Sequence, residues 1–174
     1  DIVVEMDPGM AFGTGTHETT IMCLELLEKY VKTGQTVIDF GCGSGILSIL
    51  AAKLGAKRVI AVDKDEVAVR VARENVERNR LSSIIEVIKA DKLRNVGVKA
   101  DIIVANIIAD VVIDLSYEVP FYLNPDGVFL ASGIIMDRRS SVIEALEKNG
   151  FDVLEEADRG EWVAIVSVQA PINV

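Results

Sequence analysis

The chain has 174 residues, half of them hydrophobic and about a quarter charged, which fits one domain with a real core and leaves no room for a separate substrate domain. With 27 acidic against 18 basic side chains, its formal net charge of −9 opposes a phosphate backbone, so no direct nucleic-acid contact is expected; it suits plain solubility or a basic protein partner. Two cysteines and one histidine exclude a disulfide framework and a multi-imidazole metal site, and no apolar run reaches the roughly 18 to 20 residues of a membrane span, so no metal and a cytoplasmic, soluble chain are expected.

Residues 1–17 read as an extended lead-in. Glu18 to Val31 then places Ile21, Leu24, Leu27 and Val31 at three- and four-residue spacing before Gly34, an amphipathic helix ahead of the sheet. From there strands and helices alternate: strand Thr36 to Phe40, helix Ile46 to Leu54, strand Arg58 to Val62, helix Glu66 to Asn79, strand Ile84 to Lys89, strand Asp101 to Ala105. This alternation predicts a parallel sheet built from βαβ units. A helix from Ala109 to Tyr117, the turn Asn124-Pro125-Asp126-Gly127, strand Val128 to Ser132 and helix Arg138 to Asn149, stopped by Gly150, follow. The last two strands, Asp152 to Ala157 and Trp162 to Val168, are joined by a linker, Asp158 to Glu161, too short for a parallel crossover; they predict an antiparallel hairpin. The expected fold is α/β, a Rossmann-like doubly wound sheet, mostly parallel with a C-terminal antiparallel hairpin, in a single domain over 1–174.

The densest signal is Asp39-Phe40-Gly41-Cys42-Gly43-Ser44-Gly45, a strand end, a glycine turn and a helix start. Such a turn lets a ligand approach bare backbone, where unpaired N–H groups and the helix N-terminus receive polar groups. Gly41, Gly43 and Gly45 form G-x-G-x-G, whereas the dinucleotide fingerprint G-x-G-x-x-G would need a glycine where Ile46 stands. The reading is therefore S-adenosylmethionine rather than a pyrophosphate, and a nicotinamide-dependent reductase is the disfavoured rival.

Four residues at strand ends carry the remaining chemistry. Asp63, 22 residues after Gly41, matches an acid that accepts ribose hydroxyl protons, unless it caps the next helix, a part that Asp65 could also take. Asp91, after strand Ile84 to Lys89, is open between an acceptor for the adenine amine and a solvated loop acid. Asp39 either faces the methionyl end of the cofactor or braces the glycine turn. Asn106 ends a buried strand and could hold an acceptor amine through its carbonyl, or be a plain turn residue. Enzymes that methylate flat acceptors open an Asn/Asp-Pro-Pro-aromatic motif at such a position. Here Ile107-Ile108-Ala109 follows, which favours an aliphatic amine.

Asp7 to Thr20, dense in Gly and Thr, can fold over a ligand or simply cap the helix through Thr16. Together this run, DPGMAFGTGTHETT, the block TVIDFGCGSGIL from Thr36, Asp63 and the triplet around Asn106 resemble the catalytic domain of the bacterial ribosomal-protein lysine methyltransferase family, over about Val3 to Val168. That resemblance implies a class I methyltransferase that uses S-adenosylmethionine to methylate lysine ε-amines and the N-terminal α-amine of the eleventh large-subunit protein. It implies cofactor contacts at Thr20, Gly41, Asp63 and Asn106, with Gly43 in the same turn. It also implies that Phe12, Gly13, Thr14, Gly15, Thr16 and His17 close over the methionyl part. His17 could help deprotonate the amine, or only bind backbone. The family's N-terminal substrate-recognition domain is not in this sequence, so a cofactor-binding module, or a methyltransferase of another amine, is the alternative.

Overall fold

The apolar run Thr36–Phe40 forms β1, an interior strand of a seven-stranded sheet, in a computed structural model that describes residues 1–6 and 17–172. β2 (Arg58–Asp63) and β4 (Ala100–Asn106) pair with it in parallel on its two sides. β3 (Ile85–Lys89) lies outside β2, and β5 (Leu123–Ile135) outside β4. β7 (Trp162–Gln169) runs antiparallel to β5 and to the edge strand β6 (Phe151–Arg159), giving the order β3-β2-β1-β4-β5-β7-β6. The strand order reverses between β1 and β4, and open α/β sheets bind ligands at the carboxyl ends of strands at such a point.

Side chains alternate along each central strand, so each strand feeds two cores. Val37, Val59, Ile102 and Val104 pack with α1 (His17–Tyr30), α2 (Ile46–Lys53) and α3 (Glu66–Arg78). Ile38, Ile60, Ile103 and Ala105 pack with α4 (Ala109–Tyr122) and α5 (Arg139–Lys148). By the same alternation Asp39, Asp63 and Asn106 fall on the α1–α3 face. None of the helices among the described residues is long and apolar enough to cross a membrane.

Most element ends fall within two residues of the sequence expectation; two regions differ. α4 runs on to Tyr122 with Pro120 inside it. The proline removes one helix N–H. Val112, Leu115 and Val119 nevertheless form one buried stripe, and the Leu123 N–H closes the helix on the Val119 carbonyl. The expected turn Asn124–Gly127 is an excursion inside β5 instead: Leu123 pairs with Ala100 and Val128 with Ile102. The Asp101 carboxylate stitches it down, accepting from Asn124 Nδ2 at 2.9 Å and from the Thr36 N–H at 2.8 Å. In the terminal hairpin, pairing continues to Arg159 and Trp162, so Gly160-Glu161 alone makes the turn. Trp162 is half-buried against the α1–α3 core.

Candidate functional site

After Phe40 the chain turns through Gly41–Gly45 into α2. At Gly41, φ is +76° and a Cβ would stand 2.7 Å from Ile107 Cγ2, so both backbone shape and space demand glycine. A Cβ at Gly43 would meet nothing within 4 Å among the described residues, and one at Gly45 would touch Ala72 at 3.4 Å, where α2 and α3 close on each other. Four N–H groups of this turn are bonded within the fold, which corrects the sequence expectation for those donors. Gly41 and Cys42 both donate to the Val62 carbonyl (2.7 and 2.9 Å), Gly43 to Asp63 Oδ2 (3.0 Å) and Gly45 to the Cys42 carbonyl (2.9 Å). Four donors that a pyrophosphate would need are consumed by the fold.

Asp63 is thereby the latch between β2 and the glycine turn. Its Oδ1 accepts from the Asp65 N–H at 2.9 Å. Asp65 is the residue that caps α3, accepting from the Val67 N–H at 3.0 Å, so the capping alternative for Asp63 falls away. Each Asp63 oxygen keeps lone-pair capacity beyond its one backbone partner. Phe40 pairs with Val62 on one side and Ala105 on the other, so the next residues, Asp63 and Asn106, flank Gly41 at the sheet edge.

A cleft of about 550 Å³ opens beside Gly41 and Asp63. Ile107, Ile108, Val111 and Leu115 wall it from the β4–α4 junction, a surface that sequence reasoning treated only as a missing aromatic motif. Ala90 and Asp91 line it from the end of β3, with Asp91 exposed. The segment after Asp91 is held to α4 by Glu118, whose Oε2 accepts from the Leu93 N–H at 2.9 Å. Four acids, Asp63, Asp91, Asp114 and Glu118, face two lysines, Lys64 and Lys92, a balance that suits hydroxyls and amines better than phosphates.

Asn106 does not line this cleft but lies across Gly41 from Asp63. Its Nδ2 donates to Thr20 Oγ1 of α1 at 3.3 Å, with Thr20 buried. Beneath it β5 bulges at Ser132–Gly133: the Ser132 carbonyl accepts from the Ile107 N–H at 3.0 Å, and Ser132 Oγ donates to the Thr19 carbonyl at 3.2 Å. Sequence reasoning missed this bulge, whose signal was a glycine within an apolar run.

Asp39 is fully buried and not part of the cleft wall. Its Oδ2 accepts from Ser48 Oγ at 2.8 Å, while Oδ1 has no partner among the described residues. Burial pushes its carboxyl up to about 7, opposed by the Ser48 hydrogen bonds. Burial also lifts the Cys23 thiol to about 12 and raises that of Cys42. The Ser48 hydrogen bond ties Asp39 to α2, the helix that follows the glycine turn. Phe12, Gly13, Thr14, Gly15 and Thr16 lie outside the described residues, as does the side chain of His17, the first residue of α1.

A sequence model described as "Ribosomal protein L11 methyltransferase (PrmA)" matches residues 1–170. Among curated relatives, the ribosomal protein L11 methyltransferase of Thermoanaerobacter pseudethanolicus is 59% identical over 167 residues, 96% of this chain and 54% of the relative. That of Ruminiclostridium cellulolyticum is 58% identical over 168 residues, 95% of this chain and 53% of the relative. The chain thus spans about half the length of the curated relatives it matches. A crystal structure of ribosomal protein L11 methylase from Lactobacillus delbrueckii subsp. bulgaricus superposes with a TM-score of 0.90 at 36% identity, covering 97% of this chain and 86% of that one. A precorrin-6y C5,15-methyltransferase from Geobacter metallireducens, at TM-score 0.75 and 16% identity over 97% of this chain and 93% of that one, shares the fold alone. The family model, the curated relatives and the shared fold show that the chain belongs to the ribosomal protein L11 methyltransferase family.

Proposed function

We propose that this chain is a single S-adenosylmethionine-binding domain that transfers methyl groups to lysine ε-amines, and to the N-terminal α-amine, of a large-subunit ribosomal protein. The observation that carries this reading is the placement of Asp63 and Asn106 on the two flanks of Gly41, the first lining the cleft and the second bonded to α1 through Thr20. The residues present fit the cofactor: an acid with spare lone pairs for a ribose diol, space over Gly43 among the described residues, an apolar wall for a purine, and four turn N–H groups that a pyrophosphate would need already bonded within the fold.

In this reading Asp63 accepts the ribose hydroxyls, Asp91 the exocyclic amine of the base, and Gly41, Gly43 and Thr20 border the methionyl end, joined by Phe12–Thr16. Asp39 supports the turn from below. Bound S-adenosylmethionine supplies an electrophilic methyl group on a sulfonium, so the protein has to align a neutral amine and exclude water. Free lysine ionises near 10.4, and an apolar surround lowers that by disfavouring the charged form. Asn106 Oδ1 accepts an N–H of the amine and leaves its lone pair directed at the reacting carbon. His17 is a candidate proton acceptor at the start of α1.

The test is mass spectrometry of the purified large-subunit protein after incubation with this chain and S-adenosylmethionine. Methyl increments on lysines support the reading. An unmodified protein, in a sample where S-adenosylhomocysteine binds tightly, would limit the chain to cofactor binding or to a different acceptor.

A further inference from the structure

We propose that the β5 bulge at Ser132–Gly133 is a positioning element for the Asn106 carboxamide, with Gly133 the residue that sets where Oδ1 stands for the acceptor amine. The inference rests on the reading of Asn106 given above. Three steps along β5, from Ala131 to Ile134, face two along β7, from Ile165 to Val163, so β5 accommodates one extra residue as a bulge. Gly133 takes φ +81° there, and a Cβ on it would lie 2.7 Å from the Ile107 carbonyl oxygen, 3.0 Å from the Ile107 nitrogen and 3.0 Å from Asn106 Oδ1.

The carboxamide is therefore held at both ends. Its nitrogen is tied to Thr20 Oγ1, and its oxygen rests over the bare α-carbon of Gly133. With Nδ2 committed to α1, Oδ1 is the atom left to receive an N–H. The bulge itself cannot drift, because the Ile107 N–H is bonded to the Ser132 carbonyl and Ser132 Oγ to the Thr19 carbonyl. A methyl group at position 133 meets backbone as well as the amide, so a side-chain rotation alone does not relieve it. Misplacement on this scale is costly in turnover because catalysis by alignment falls steeply with small displacements.

Gly133 is thus a positioning residue, and its effect must vanish when Asn106 is removed. Gly133→Ala is expected to lower turnover about tenfold or more, with the KM for the protein substrate and the affinity for S-adenosylhomocysteine within about threefold of the unsubstituted chain. In an Asn106→Ala background the same change should cost no further turnover. Additive losses, or a parallel loss of cofactor affinity, would overturn the proposal. Should Gly133→Ala not fold, Ser132→Ala keeps the backbone and releases the bulge from α1; a severalfold, non-additive loss supports the proposal, and full turnover in that folded variant overturns it. Should the unsubstituted chain transfer no methyl group, the proposed function fails separately. The ¹⁵N-resolved side-chain amide signals of Asn106 then decide: displaced signals in either folded variant support the positioning role, and unmoved ones refute it.

Discussion

The two halves of the sheet's carboxyl edge are held by different means. On the β1–β2 side a side chain fixes backbone: the Asp63 carboxylate takes the N–H groups of Gly43 and Asp65, so one acid latches the glycine turn and the start of α3 together. On the β4–β5 side backbone fixes a side chain: the Ser132–Gly133 bulge lies under Ile107 and sets the space left to the Asn106 amide. The first arrangement suits a cofactor that must be bound whole and released. The second suits, in the proposed reading, a single polar atom that stays put while acceptor amines arrive. Damage to the first half should appear in affinity, and damage to the second in turnover.

Gly41→Val is the harshest way to test that division, because Gly41 lies where the halves meet. The new side chain begins 2.7 Å from Ile107 Cγ2 and demands a left-handed β-branched residue at φ +76°. Left-handed strain costs roughly 1 to 2 kcal/mol and overpacking roughly 1 to 3 kcal/mol more. Urea unfolding should register a loss of about 2 to 5 kcal/mol, and calorimetry should find no S-adenosylhomocysteine binding. Wild-type affinity in a folded variant would show that the turn does not border the ligand.

Next in size is a pH effect beneath the first half. The Asp39 carboxyl ordinarily ionises near 3.8 and is pushed up to about 7 by burial. Between these values the unfolded chain releases the proton while the folded chain keeps it, so this group's contribution to stability is fully present below about pH 4 and is lost as pH rises toward 7. Asp39→Asn cannot ionise and should gain on the unsubstituted chain by about 2 to 3 kcal/mol between pH 5 and pH 8, read by urea unfolding at both. A constant difference between the two proteins across that range would mean that Asp39 is ionised in the fold. Asp63→Ala should weaken S-adenosylhomocysteine binding by roughly 1 to 3 kcal/mol and leave the domain folded. Equal affinity would remove Asp63 from the ribose site.

The difference between the halves also explains what could be read from the sequence. The glycine turn and Asp63 are close in the chain, and their chemistry requires particular residue types at fixed spacing, so Gly41 and Asp63 were visible as a motif. The alternation of apolar strands with helices was equally plain, because Val37 and Ile38, or Ile103 and Val104, must bury opposite faces of one sheet. The bulge was not visible. It arises from the register between β5 and β7, and its one local signal, Gly133 within an apolar run, could equally have ended a strand. The excursion at Asn124–Gly127 is similar: its turn residues were legible, but that Leu123 would pair with Ala100 before it was set by the neighbouring strand. That the turn's N–H groups are bonded within the fold depends on the Val62 carbonyl and on Asp63, and so on how β2 docks.

The mildest test is aimed at the surface of the acceptor half. Arg138 Nη2 donates to Asp110 Oδ1 at 2.6 Å, joining the start of α5 to the first turn of α4, next to Ile108. From the contact alone this pair could be the brace that aligns Asn106. Both side chains are well exposed, however, at 39% and 71%, and exposed ion pairs give up in side-chain entropy and salt screening most of what they gain. The bulge beneath is already pinned by the Ser132 carbonyl and hydroxyl, which are buried and need no help from a surface charge. Arg138→Ala should therefore cost less than about 1 kcal/mol of stability and leave turnover and cofactor affinity within about twofold. A tenfold loss of turnover would move the control of Asn106 from the backbone of β5 to the surface, and would reverse the contrast between the two halves.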